Sequence, residues 1–436
     1  MKKKIQHIKF LKHPFFKENS NLTLFDENSD ASDIPTFFFL AGENGSGKTS
    51  ILDLISSGLG KIKKGYLIHT DTEDLDVELS LLDGDEYKVM KIEVVEERIK
   101  SDIHPDGLKV LYNQVDTNFK KTKITSATAI TADENEEPRE ESEDLSKVIP
   151  QLLVNIKAED DAYIADYVRA HGKAPEEYVR RLDRFTNAFE KMFDGTKTFK
   201  TVSNKKGEKV IVFTDGNGSE VDMHTFSTGE KQIIFRVGHL LKDLKNLNQA
   251  LILIDEPETS LHPKWQKKYV QYLSDVFKGL DIQFIIATHS PYILQGLVDG
   301  KSVCLKIDRD KGEIGEQVGF YKNMIGGGPS INLINYRVYD IVDELLHIEL
   351  FAALEIKLGG YNRLKNIMNS ENSIRKADTF LATIKYSGCV IGDSVSEALP
   401  ISIRNKLHHA DETNRPQFNE NDLRESVEIM LVMLTK

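Results

Sequence analysis

The sequence lacks any run of 18 or more apolar residues; its longest, such as 251–254 and 284–287, suit buried strands and exclude a membrane-spanning helix. No apolar stretch follows the opening Met-Lys-Lys-Lys-Ile-Gln-His-Ile that could act as a secretory core. Cysteine is scarce: Cys304 and Cys389 supply neither a disulfide framework nor a CxxC metal pair. A basic excess is also missing, since the formal net charge is −12, a balance that ordinarily argues against nucleic-acid binding. That figure is partly local. Residues 133–144 hold eight acids and one arginine, contributing −7, so the remainder carries only −5 and neither requires nor excludes a nucleic-acid face. The block itself reads as a solvated, mobile loop. Internal repeats, a heptad run long enough for a coiled-coil arm, and a zinc-hook CxxC are absent as well. Together these features predict a soluble protein of a reducing cytoplasm with no membrane partner.

With 436 residues, 40% hydrophobic and 29% charged, the chain can bury a full core and suggests two domains. Ile5–Phe10 and Thr36–Leu40 read as strands, the second leading through a glycine-rich turn into a helix over Thr49–Leu59. Short β-like runs follow at Tyr66–His69, Val77–Leu82, Lys88–Val95 and Lys109–Tyr112, which predict an antiparallel sheet appended to a parallel core. Residues 147–193 are helical in character, and Leu182, Phe185, Phe189 and Met192 recur at helical spacing. Residues 207–213, with the turn Asp215–Gly218, look like a hairpin. From Phe226 onward helix and strand alternate (229–244, 250–254, 264–278, 283–287), the pattern of βαβ units and a parallel sheet. From about 331 the pattern is helical to the end.

Gly42-Glu43-Asn44-Gly45-Ser46-Gly47-Lys48-Thr49 fits GxxxxGK[ST] between a strand and a helix. Glycines there let backbone N–H groups turn inward around phosphates, aided by the positive end of the helix. This assigns Gly42, Asn44, Gly45, Ser46, Gly47, Lys48, Thr49 and Ser50 to phosphate binding, with Lys48 reaching the β- and γ-phosphates and the Thr49 hydroxyl ligating Mg²⁺. Leu251-Ile252-Leu253-Ile254-Asp255-Glu256-Pro257 is an apolar strand delivering two acids to its carboxyl end, where open α/β sheets bind ligands. Asp255 is the second candidate Mg²⁺ ligand and Glu256 the residue to orient or deprotonate the attacking water. Phe226-Ser227-Thr228-Gly229-Glu230-Lys231-Gln232 opens a helix whose N-terminus could face an anion, although Ser227 and Glu230 equally fit a plain capping box. His289 ends the strand Phe284–Thr288 and is a candidate γ-phosphate sensor.

These motifs, in this order, resemble those of ABC-type ATPases. The segments GENGSGKTS, FSTGEKQ, LILIDEPETSLHP and IIATHSP are similar to the SMC/RecF/OLD-like branch and not to transporters. The resemblance covers roughly 1–300 and implies a P-loop α/β head with a β-rich lobe and helical insertion at 61–220, within an ATPase domain over 1–330 and ahead of an all-helical domain at 331–436. It implies ATP and Mg²⁺ as cofactors, catalysis by Lys48, Glu256 and His289, and a head-to-tail dimer or higher homo-oligomer in which Ser227, Gly229 and Glu230 of one copy complete the site of another. Thr228 departs from the usual glycine of that signature. Gln114 and Gln151 are both candidates for the Q-loop.

The helical tail resembles that of ABC-type ATPases of bacterial anti-phage systems, such as Septu-like ATPases. This points to a defence ATPase controlling a separately encoded effector protein, with nucleic acid as a further candidate ligand. A second reading rests on Ile403-Arg404-Asn405-Lys406-Leu407-His408-His409, which resembles the RxxxxH motif of HEPN ribonucleases and would make Arg404 and His409 the catalytic pair of an RNase. The plain reading is a basic helix end complementing the helix dipole. A RecF-like DNA-repair ATPase is a third. Asp308-Arg309-Asp310 offers the Asp-x-Asp of an OLD-type nuclease but follows His289 too closely, and reads as a β-turn.

Overall fold

Three consecutive phenylalanines mark the centre of the fold. Phe37–Ala41 is buried along its whole length, as a strand covered on both faces must be, and its parallel neighbour Gln283–Thr288 and the next strand beyond it, Leu251–Asp255, are equally buried. The computed structural model describes residues 3–30, 33–59, 75–95, 98–102, 105, 107–113, 145–176, 178–205, 208–298, 300–319, 329–370, 380–386, 389–395, 398–408 and 417–435. The expected strand Tyr66–His69, Gln114, the acidic block 133–144 and His409 lie outside them. The chain divides into two units, Met1–Val318 and Gly319–Lys436.

In the first unit the elements run β1 (Lys3–Lys12), β2 (Ser20–Thr23), β3 (Phe37–Ala41), α1 (Lys48–Leu59), β4 (Asp76–Asp83), β5 (Glu86–Val95), β6 (Arg98–Ser101) and β7 (Val110–Asn113). Then come α2 (Leu145–His171), α3 (Asp183–Phe193), β8 (Lys197–Lys205), β9 (Glu208–Asp215), β10 (Glu220–Asp222) and α4 (Thr228–Lys242). The unit closes with β11 (Leu251–Asp255), α5 (Pro263–Val276), β12 (Gln283–Thr288), α6 (Pro291–Gln295), β13 (Ser302–Ile307) and β14 (Gly315–Gln317).

The central sheet has the order β14-β13-β3-β12-β11-β7, and all its pairings except β13 with β14 are parallel. A five-stranded antiparallel sheet, β2-β1-β4-β5-β6, and a three-stranded one, β10-β9-β8, flank it. One strand differs from expectation. Its β-like pattern groups the run Lys109–Tyr112 with the antiparallel lobe, yet β7 pairs in parallel with β11 at the edge of the central sheet. A short strand carries too little periodicity to say which sheet it joins; long-range register decides that. Helix α1 is apolar on several sides because Ile51, Leu52, Leu54 and Ile55 are all fully buried in one core with residues of both large sheets.

In the second unit the elements are α7 (Ile331–Tyr339), α8 (Glu344–Leu358), α9 (Tyr361–Ser370), β15 (Phe380–Tyr386), β16 (Cys389–Val395), α10 (Leu399–His408) and α11 (Glu420–Thr435). Leu333, Leu346, Leu350, Leu354, Leu364, Ile401, Val427 and Met430 form its core. The helical region expected from the sequence is present, with one addition: β15 and β16 pair antiparallel as a hairpin between α9 and α10. Thr383, Ile384, Val390 and Ile391 supply the β-branched content that favours a strand there.

Candidate functional site

The loop between β3 and α1 takes its shape from glycine. Gly42, Gly45 and Gly47 have φ of +150°, +79° and +95°, backbone that side chains with a Cβ rarely adopt. At Gly47 space is also short, since a Cβ would stand 2.6 Å from Cζ of the buried Phe16. Asn44 and Gly45 are exposed at the loop tip, and Ser50 is half-buried in the first turn of α1. Lys48 is buried and folds back over the loop: its Nζ donates to Gly42 O at 2.9 Å, Glu43 O at 2.7 Å and Ser46 Oγ at 3.3 Å. Burial lowers its pKa, against the pull of Glu256, Glu258, Asp255 and Glu43.

At the neighbouring strand end Thr49 Oγ1 donates to Asp255, 3.2 and 3.1 Å from its two carboxylate oxygens, across 206 residues of sequence. Burial, with Glu256 and Asp53 adding repulsion, pushes the Asp255 carboxyl up to about 6 against the opposing Thr49 hydrogen bond. A hydroxyl and a carboxylate facing each other are hard oxygen donors that suit Mg²⁺, which in phosphate sites keeps one or two protein ligands and fills the rest from phosphate and water. A cation there would also offset the cost of holding Asp255 ionised while buried. Behind the strand, Arg236 of α4 is buried; its Nη1 donates to the carbonyls of Asp255 and Glu256 at 3.1 and 3.2 Å, and its Nε to Gln232 Oε1 at 2.9 Å. The carbonyl ends of β11 are thereby pinned to the helix that carries the signature segment. Glu256 itself sits at φ +39°, a strained conformation for a non-glycine residue, of the kind that collects at functional sites.

His289 follows β12 and stands between two acids: Nδ1 lies 3.5 Å from Glu256 Oε1 and 3.3 Å from Glu258 Oε1. Glu258, unlike the half-exposed His289, is buried, and its Oε1 also accepts from Thr288 Oγ1 and from the His289 N–H, both at 2.8 Å. Thus Lys48, Thr49, Asp255, Glu256 and His289, separated widely in sequence, converge at the carboxyl ends of β3, β11 and β12. The signature segment is placed differently. Ser227 caps α4, accepting from the Glu230 N–H at 3.4 Å, while its own N–H and hydroxyl donate to Glu230 Oε2 at 2.8 and 2.9 Å. Glu230 in turn is ion-paired with Lys197, whose ammonium lies over the Phe226 ring. Gly229 is buried against the loop after β11, where a Cβ would meet Ser260 O at 2.3 Å. Thr228, by contrast, is exposed at the helix start and has room for its side chain.

Sequence reasoning overlooked Arg236, Glu258, Gln266 and Phe16. Arg236 was legible only as the (i, i+4) partner of Gln232 on α4, and Glu258 as a third acid after the strand. Gln151 lies within α2 and donates to Asn155 at 2.9 Å. Gln114, outside the described residues, directly follows β7, the strand paired with β11. In the helical unit Arg404 is half-buried, with its guanidinium 4.8 Å from the Tyr361 ring centre and 5.8 Å from that of Phe351, and it donates to Asn405 Oδ1 at 3.2 Å. Among the described residues no helix is long and apolar enough to cross a membrane.

Residues 37–295, more than half of the chain, match the family described as "AAA domain, putative AbiEii toxin, Type IV TA system". A stretch of 87 residues, 18% of this chain and 16% of the relative, is 42% identical to the "Retron Vc95 probable ATPase" of Vibrio cholerae serotype O1 biovar El Tor. A stretch of 111 residues is 32% identical to the "Septu protein PtuA" of Bacillus thuringiensis, covering 23% of this chain and 27% of that protein. The chain therefore spans well under two thirds of these relatives' own lengths. Among solved structures, the "SMC head domain from Thermotoga maritima" aligns with a TM-score of 0.39 at 14% identity, covering 74% of this chain and 100% of that one.

Proposed function

Since the chain belongs to the AAA-domain family that residues 37–295 match, and is homologous to retron and Septu ATPases, we propose that it binds and hydrolyses Mg-ATP as a dimerisation switch controlling an effector in anti-phage defence. The observation that carries this reading is the meeting of Thr49 with Asp255, which joins the phosphate-binding loop to the acid-bearing strand at hydrogen-bond distance.

On this reading the N–H groups of the loop from Gly45 to Thr49 and the start of α1 receive the phosphates, and Lys48 exchanges its carbonyl partners for phosphate oxygens. Thr49 and Asp255 would hold Mg²⁺, which when bound supplies charge neutralisation at the β- and γ-phosphates. Glu256 orients the attacking water and takes its proton, and His289 donates a hydrogen bond to the γ-phosphate. Ser227 and Gly229 lie at the N-terminus of α4, where Ser227 and Glu230 form a capping box. Their part in nucleotide binding is assigned, as the resemblance implies, to the site of a second copy. Hydrolysis then releases the contact, a shift between joined and separate heads. The nuclease reading gains nothing from Arg404, whose guanidinium already stacks on two rings of its own unit.

The test is the mass in solution of a Glu256→Gln variant with and without Mg-ATP. This change should preserve binding and stall hydrolysis, and a rise from monomer to dimer mass only with nucleotide is expected. A variant that binds Mg-ATP yet keeps an unchanged monomeric mass sinks the switch.

A further inference from the structure

Glu258 is a buried acid that the hydrolytic steps above do not use. One of its oxygens, Oε1, accepts from two donors, the Thr288 hydroxyl and the His289 N–H at 2.8 Å each, and the His289 ring nitrogen Nδ1 lies 3.3 Å from it, at ion-pair distance. A carboxylate oxygen accepts hydrogen bonds, so a proton on the Nδ1 that faces it is the favoured arrangement of the ring. That leaves Nε2 as the nitrogen turned to the nucleotide, and it donates to a γ-phosphate oxygen when the ring carries both protons. Glu256 faces the same Nδ1 from 3.5 Å but is half-exposed and sits on strained backbone, whereas Glu258 is buried and cannot leave without stranding its donors.

The hydrogen bonds continue into a closed circuit. The Thr288 hydroxyl that donates to Glu258 also accepts from the Ser290 N–H at 3.0 Å, and Ser290 Oγ donates to Gln266 Oε1 at 2.6 Å. Gln266 Nε2 returns to the loop after β11, donating to Leu261 O at 2.8 Å and Glu258 O at 3.4 Å. Between these two anchors lies Ser260, at φ +63°, whose carbonyl is packed under Gly229. The circuit therefore ties the ring of His289 to the loop that touches the signature helix.

We infer that Glu258 is a positioning residue for hydrolysis: it sets the orientation and the protonated nitrogen of His289, and with Gln266 locks that histidine to the loop lying under the signature helix. This rests on the reading of the strand-end site as an ATP-hydrolysing one. The competing account makes Glu258 a fastener of two loops, with no effect that passes through His289.

A double-mutant cycle on the full chain separates the two. Steady-state ATPase, fluorescent-ATP affinity and melting temperature are measured for wild type, Glu258→Gln, His289→Ala and the double variant. Glutamine keeps the volume and one acceptor but offers Nδ1 no charge. The expected result is a kcat lower by on the order of tenfold to a hundredfold in Glu258→Gln, with KM and nucleotide affinity within about threefold of wild type. The double variant should be no slower than His289→Ala alone, because two residues acting as a unit do not add. Activity of Glu258→Gln within about twofold of wild type overturns the inference. So do losses that multiply in the double variant, or a fall in affinity and melting temperature that accounts for the lost rate. A wild-type chain that binds Mg-ATP without hydrolysing it overturns the ATPase reading and this inference together; a hydrolysing wild type with an indifferent Glu258 variant overturns this inference alone.

Discussion

The strand-end cluster of the first unit and the buried histidine of the second treat buried polarity in different ways. In Met1–Val318 the buried Lys48, Asp255 and Glu258 meet at the ends of three parallel strands, with Arg236 behind one of them, and each of these groups has at least one hydrogen-bond partner, although Glu258 Oε2 and Arg236 Nη2 find none among the described residues. In Gly319–Lys436 the buried His347 lies among apolar side chains beside Phe351, and neither of its ring nitrogens has a hydrogen-bond partner among the described residues. The difference teaches that burial alone does not mark a site. Convergence does: several charged groups from distant parts of the sequence, held at one place by one another, at a cost the fold would not otherwise carry.

Replacing Lys48 with Ala should give the largest effect, a fall in ATP hydrolysis of about a hundredfold or more measured by phosphate release, since this removes a preorganised charge at the phosphates. Persistent hydrolysis would break the comparison at its stronger end. Gly229→Ala comes next. The added methyl would lie 2.3 Å from a backbone carbonyl that no side-chain rotation can relieve, so the loop holding Ser260 must shift. A loss of about 1–3 kcal/mol in stability of the first unit is expected by thermal melting.

His347 tests the other unit. Burial lowers its pKa from 6.5 to about 3. The unfolded chain therefore takes up a proton that the folded one refuses, and stability falls as pH drops from 6.5 toward 3. At pH 5 the loss should be about 2 kcal/mol by calorimetry relative to neutral pH, and His347→Leu should abolish that share of it. A pH dependence unmoved by the substitution would show that the ring finds a partner after all. The smallest effect belongs to Arg404→Met, which removes a cation from above Tyr361 and should cost about 0.5–1 kcal/mol. Cleavage of labelled RNA by wild type, lost in this variant, would overturn the purely structural reading of Arg404.

The residues of the phosphate loop and the acids after β11 were legible because their chemistry depends on spacing along the chain: glycines every few residues to free N–H groups, and a strand delivering carboxylates at its end. The capping box at Ser227 was legible for the same reason, since Ser227 and Glu230 are neighbours on one helical turn. Arg236, Glu258 and Gln266 were not. Each acts on a group that sequence places far away, as Glu258 does on Thr288, 30 residues later. The membership of β7 in the central sheet escaped notice for a like reason, because four residues of strand fit either sheet until pairing with Leu251–Ile254 is formed.

Sequence by itself therefore determined the parts: a P-loop, an acid-bearing strand, a signature helix, a histidine after a core strand, and a helical tail. Tertiary structure decided which parts share a site. It brought Thr49 to Asp255 and His289 to both Glu256 and Glu258, and it set Gly229 against Ser260 within the same chain. Local chemistry is written in neighbouring residues, whereas contact between distant ones depends on which strands pair and which core they bury, a property of the whole fold and of no single segment.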